Sequence, residues 1–208
     1  MLYYILDCET TGLNESYNEV VEISVIRFED KMQITREIRA QYPERASLDA
    51  LRIIGKNKYQ ICQGQLPIET VNDITMFINL DGASPKKRCV IAHNASFDRR
   101  FMHYLWKSNN LDFPIDYWVC SMALMRKYNK QIGIKTKVNL QDSCDSLGIV
   151  KVAGLHNAKS DTRNTYKLWK KLTEELKVDY LPLIENHAMG QSSEEDLSGD
   201  LYQEELGE

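Results

Sequence analysis

The sequence predicts an α/β fold, a mixed sheet flanked by helices, and three observations carry that expectation. Two short, wholly apolar runs, 2–6 and 89–92, have the composition of strands buried on both faces. Two β-rich runs, 20–28 and 32–42, are joined by the polar turn Glu29-Asp30-Lys31 and read as an antiparallel hairpin. The chain then turns helical, and strands interleaved with helices after a hairpin-connected start indicate a layered α/β architecture.

Each element follows from local composition. The first run ends at Asp7 and is bounded by Thr10-Thr11-Gly12, so it is expected in the centre of the sheet. Residues 46–54 and 71–80 read as helices with a glycine-containing loop between them. The run 89–92 leads directly into a helix over 96–107. Further helices at 122–128, 140–147 and 158–176 are separated by connections bearing Gly148 and Gly154. From about residue 190 the composition shifts: residues 191–208 hold seven acids, no base and no apolar period, the pattern of a disordered tail. The expected organisation is one domain over 1–189 and an acidic tail over 190–208.

Bulk properties exclude several classes. A chain of 208 residues suits one mid-sized domain, and 43% hydrophobic residues suffice for a sizeable core. No stretch approaches the ~18 uncharged apolar residues of a membrane span, and no signal-peptide pattern opens the chain, so a cytoplasmic protein without a membrane partner is expected. The five cysteines are scattered and never form a CxxC pair, which argues for reduced, mostly buried thiols and against a disulfide framework or zinc cluster. The 26 Lys and Arg against 30 Asp and Glu give a formal charge of −4, which read whole disfavours nucleic acid. Seven of those acids lie beyond residue 189 and no base does, so the preceding chain carries 26 bases against 23 acids, a formal +3.

Four acids stand where a core would not tolerate them. Asp7 and Glu9 are two apart at a strand's carboxyl end, on one face of the sheet, where open α/β sheets place ligands. A lone Asp-x-Glu is more often a strand fraying into a loop. Asp98 shares a helical stripe with Phe101, Met102 and Leu105, and Asp161 opens a stripe continuing through Thr165, Leu168, Trp169 and Leu172. Either alone is also an ordinary N-terminal acid favouring its helix dipole. Together they require compensation, because buried carboxylates are costly unless paired or bound to metal. An all-oxygen set suits the hard cations Mg²⁺ or Mn²⁺, with structural Ca²⁺ the alternative. His156, five residues ahead of Asp161 in a loop, is either a surface residue or a group able to take a proton near neutral pH.

The segments Ile5-Leu6-Asp7-Cys8-Glu9-Thr10-Thr11-Gly12-Leu13, Ala92-His93-Asn94-Ala95-Ser96-Phe97-Asp98 and His156-Asn157-Ala158-Lys159-Ser160-Asp161 resemble the three motifs of the DEDDh (DnaQ-like) 3′-5′ exonucleases. The segment 92–100 looks especially like that of exonuclease X and of the proofreading epsilon subunit of bacterial DNA polymerase III. The resemblance implies an RNase H-like fold with a mixed five-stranded sheet and an exonuclease domain over 1–189. It implies that Asp7, Glu9 and Asp161 hold one divalent cation, that Asp7 bridges to a second, and that Asp98 acts mainly through water. His156 would be the general base. Thr10, Thr11 and Gly12 would place donors around the terminal nucleotide, Leu13 would wedge against the last base, and Asn94 would contact substrate near the scissile phosphate. The implied substrate is a DNA 3′ end, single-stranded or a frayed duplex, with RNA the alternative and a polymerase or repair assembly the implied partner. Family members often carry Ile-His-Gly-Ile after the hairpin, whereas this chain has Ile53-Ile54-Gly55-Lys56. A phosphatase with Asp7 as nucleophile, or a non-catalytic nucleic-acid-binding module, explains fewer of these residues.

Overall fold

The computed structural model describes residues 1–152 and 157–188. His156 and the acidic tail therefore lie outside the described residues. The sheet has six strands in the order β3-β2-β1-β4-β5-β6. β1 (Leu2–Thr10) is central, antiparallel to β2 (Val20–Arg27) and parallel to β4 (Arg88–Ala92). β3 (Gln33–Glu37) extends the hairpin on one side. β5 (Tyr117–Cys120) runs parallel to β4 on the other, and β6 (Glu185–Asn186) closes that edge.

Alternation along β1 separates two cores. Tyr4, Leu6 and Cys8 face α2 (Pro67–Asn79) and α3 (Ala95–Ser108), packing with Ile74, Phe101 and Trp106. Ile5 faces the opposite layer, α4 (Ser121–Gln131), α5 (Leu140–Ser146) and α6 (Ala158–Lys170), with Leu124, Cys144 and Leu168. A small third cluster, including Val21 and Leu51, lies under α1 (Leu48–Ile54). Burying these side chains contributes roughly 1.5–3 kcal/mol each.

The expected layers are present, with corrections at the edges. The sheet has six strands where five were expected, because the dipeptide β6 is too short to carry a period of two. β5 was not anticipated for the same reason: four residues cannot show alternation. β3 stops at Glu37, well short of Tyr42, and the chain leaves through a 3₁₀ turn at Pro43–Arg45. α2 begins at Pro67, whose fixed φ suits a first helical position, with the Glu69 carboxylate accepting from the Leu66 N–H at 3.0 Å. α6 ends at Lys170 and passes into a π-helical turn, Lys171–Glu175. Cys8, Cys89 and Cys144 are buried, Cys62 and Cys120 partly so, and all five are unbridged. No helix among the described residues is long and apolar enough to cross a membrane.

Candidate active site

Asp7 and Glu9 leave the end of β1 on the face covered by α6. That helix starts where the Asn157 side chain accepts from the Ser160 N–H at 2.8 Å, an N-cap that places Asp161 in the first turn. A polar seam fixes the helix laterally: the Thr162 hydroxyl lies 3.1 Å from Ser24 Oγ on β2 and accepts from the Gln33 amide at 3.0 Å. One oxygen each from Asp7, Glu9 and Asp161 can lie within 4.8 Å of one another, close enough to share an ion.

Asp98 approaches from the opposite layer. β4 turns into α3 at Asn94, a left-handed residue with φ 71° and ψ 52°, a conformation Asn tolerates better than most residues. The helix then starts at once, and buried Asp98 accepts from the Cys8 backbone N–H at 3.1 Å. That amide lies between Asp7 and Glu9, so the fourth acid adjoins the trio without being one of the three that converge.

The electrostatics show a crowded anionic centre. Burial first, then Asp98, Glu9, Asp161 and Glu22, drives the Asp7 carboxyl well above the carboxylate range. Glu9 is pushed up to about 8 by burial and then by Asp161, Glu22 and Asp98, with Lys56 acting in the other direction. Burial also raises Asp98, against its hydrogen bonds from Cys8. Four acids gathered at one end of the sheet favour positive charge among them, and their oxygens suit a hard divalent ion.

Glu22 was missed from sequence, and Lys56 was noted only as a departure. Glu22 lies opposite Glu9 in the β1–β2 register, on the same face, and Glu37 lies opposite Glu22. Gly55 ends α1 with φ 65°, reversing the chain so that Lys56 Nζ reaches Glu37 at 2.8 Å and Glu22 at 3.4 Å. The available signal was a lone acid within the apolar run Val20-Val21-Glu22-Ile23.

The loop after β1 is locked. The Thr10 hydroxyl donates to the Gly12 carbonyl at 2.6 Å, and Thr11, fully buried, exchanges bonds with Glu19 through its N–H and hydroxyl, both at 2.8 Å. A Cβ on Gly12 would stand 2.5 Å from the Asn18 side chain, which explains the glycine. The two threonine hydroxyls are thus engaged within the loop, while Leu13 projects from it 79% exposed. His93, just before Asn94, has both ring nitrogens engaged, at 2.9 Å from Ser121 Oγ and 2.8 Å from the Val138 carbonyl, and burial lowers its pKa to about 4.

Residues 4–169 match the exonuclease family of the RNase T type. The chain belongs to that family. Among relatives of this exonuclease, the DNA polymerase III subunit epsilon of Treponema pallidum is 27% identical over 78% of this chain and 72% of its own length. A PolC-type DNA polymerase III of Thermotoga petrophila is 26% identical over 88% of this chain, which spans only 13% of that polymerase. Among solved structures, exonuclease X in complex with 5′ overhanging duplex DNA superposes with a TM-score of 0.62 at 21% identity, covering 87% of this chain and 96% of that one. The exonuclease therefore has an RNase H-like fold and resembles DEDDh enzymes.

Proposed function

We propose that this exonuclease removes single nucleotides from DNA 3′ ends with the help of two divalent cations, Mg²⁺ or Mn²⁺. The supporting observation is the convergence of Asp7, Glu9 and Asp161 within 4.8 Å, with Asp98 anchored to the amide between the first two. Cations bound there supply charge stabilisation to both the attacking and the leaving oxygen of a phosphodiester. Asp7, Glu9 and Asp161 would hold them, and Asp98 would orient the site mainly through water. His156, one residue before the α6 N-cap, takes the proton from the attacking water, and its unperturbed pKa of ~6.5 suits that role near neutral pH. Leu13 wedges against the terminal base, the backbone of Thr10, Thr11 and Gly12 lines the terminal nucleotide, and Asn94 contacts the strand near the scissile phosphate. The domain extends over 1–189. Relatives named as DNA polymerase III components suggest a polymerase or repair assembly as the partner.

The test is a 5′-labelled oligonucleotide incubated with Mg²⁺. A ladder shortening one nucleotide at a time from the 3′ end is expected, with Asp7→Asn and Asp161→Asn slower by at least ~10²-fold and His156→Ala slower by ~10²–10⁴-fold. His156→Ala should keep the rise in melting temperature that Mn²⁺ produces. Absence of mononucleotide release, or undiminished release by Asp7→Asn, overturns the reading. Matched DNA and RNA strands digested side by side decide the sugar.

A further inference from the structure

The sequence holds four clusters of basic residues that would suit phosphates, and the structure sorts them. In the first, Lys86 and Lys87 precede β4, at the end of the sheet opposite Asp7, and the neighbouring Arg88 is buried against Asp81 at 2.5 Å. In the second, Arg99 is engaged by Glu185 and His187, and Arg100 lies 3.5 Å from Glu15. In the third, Lys127 pairs with Asp179 at 3.6 Å while its neighbour Arg126 does not. The fourth is the 135–137 segment. Arg126, Lys130, Lys135 and Lys137 are exposed, and among the described residues none has an ionic partner.

Those four cations line one open groove of about 790 Å³ between α4 and the 133–139 connection, with Ile134 and Asn139 also in its wall and no acid among its lining residues. The groove is joined to the catalytic end of the sheet: the His93 ring holds the Val138 carbonyl from the carboxyl end of β4. The β1–β4 register, parallel as far as Ile5 and Ile91, puts His93, just past the end of β4, at the same end of the sheet as Asp7. A cationic groove at the same end of the sheet as an acidic centre matches the alternation of requirements along a strand being cut at its end.

We infer that this groove binds the phosphodiester backbone of a single strand upstream of the terminal nucleotide, Lys135 and Lys137 each meeting a phosphate and Ile134 offering an apolar contact to a base. The inference rests on the proposed exonuclease reading and adds to it a substrate-length dependence: strands long enough to reach the groove are held, and the shortest ones are not. Exposed lysines spaced around an open groove give salt-sensitive, sequence-independent contacts.

The test compares Lys135→Gln/Lys137→Gln with Lys135→Arg/Lys137→Arg and with Lys86→Gln/Lys87→Gln, which removes equal charge at the far end of the sheet. Binding of a 5′-fluorescein dT20 is followed by anisotropy in EDTA at several salt concentrations, and cleavage of dT20 and of a dinucleotide is measured in Mg²⁺. For the groove glutamine variant, Kd should rise on the order of tenfold, and the slope of log K against log salt should become shallower by about 1.4. Its ratio of kcat/KM on dT20 to that on the dinucleotide should fall by a similar factor. The arginine variant should restore wild-type values, and the Lys86/Lys87 variant should differ little from wild type. Equal losses in the two glutamine variants overturn the inference. So does unchanged or tighter binding, the latter being the result of the chain's own acidic residues filling the groove. If the wild-type protein cleaves neither substrate, the exonuclease reading fails while the anisotropy series still decides the groove.

Discussion

Glu9 and Glu22 face each other across β1 and β2, two acids side by side on a largely covered surface, and like charges directly opposite in a sheet repel. Lys56 makes that arrangement tolerable. It reaches Glu22 and Glu37 together, and it is a group pulling the Glu9 carboxyl back toward ionisation. Lys56→Gln should therefore destabilise the fold by on the order of 1–2 kcal/mol in chemical denaturation, because it leaves a buried carboxylate without its ion pair. Adding Glu22→Gln should recover most of that loss. A Lys56→Gln protein as stable as wild type would show that the ion pair has no structural weight. Lys56, which follows Ile53-Ile54-Gly55, is thus a cation aimed at the rim of the acidic centre.

Among the elements, α6 has the most demanding position. It contributes Asp161, but its register against the sheet depends on the Asn157 cap and on the seam of Ser24, Gln33 and Thr162. Asn157→Ala should cost about 1 kcal/mol of stability and slow nucleotide release by well over the fraction unfolded, since the first turn carries one of the three converging acids. Equal activity per folded molecule would detach the cap from the site. The elements that carry the acids were legible in sequence for physical reasons. β1 is an uninterrupted apolar run, α3 and α6 have strong periods of 3.6, and an aspartate inside each stripe marks the site. β5 and β6 were not legible, because four and two residues hold no period. Glu22 and Lys56 were hidden for another reason: strand register and a left-handed helix cap create their meeting, and neither is a property of local sequence. The threonine hydroxyls of the first motif look outward in sequence but turn inward, because Glu19 and the Gly12 carbonyl provide partners within the loop.

For the molecule as a whole, the raised carboxyls tie stability to pH and to cations. Glu9 ionises near 8 in the fold against 4.5 as its ordinary value, so the stability its neutral form contributes is complete below about 4.5 and is lost as pH rises toward 8. Asp7 and Asp98 act in the same direction. His93, lowered from 6.5 to about 4, has the opposite sign: its contribution is present above 6.5 and is lost as pH falls toward 4. Between pH 6.5 and 8 the carboxyls decide. The cation-free protein should thus melt at a lower temperature at pH 8 than at pH 6.5. Mn²⁺ or Mg²⁺ should raise the melting temperature by at least ~2–4 °C more at pH 8, where fewer protons have to be displaced than at pH 6.5. An equal rise at both values would mean that the cation binds elsewhere. The order of assembly follows from the topology. Asp7 and Glu9 belong to the first strand and Asp161 to the last long helix, 154 residues away from Asp7 in the chain. Such a long sequence separation means that the three acids can meet only once β1 and α6 have docked. A nascent or partly folded chain brings together at most some of these acids, so their convergence is a property of the polypeptide folded as a unit.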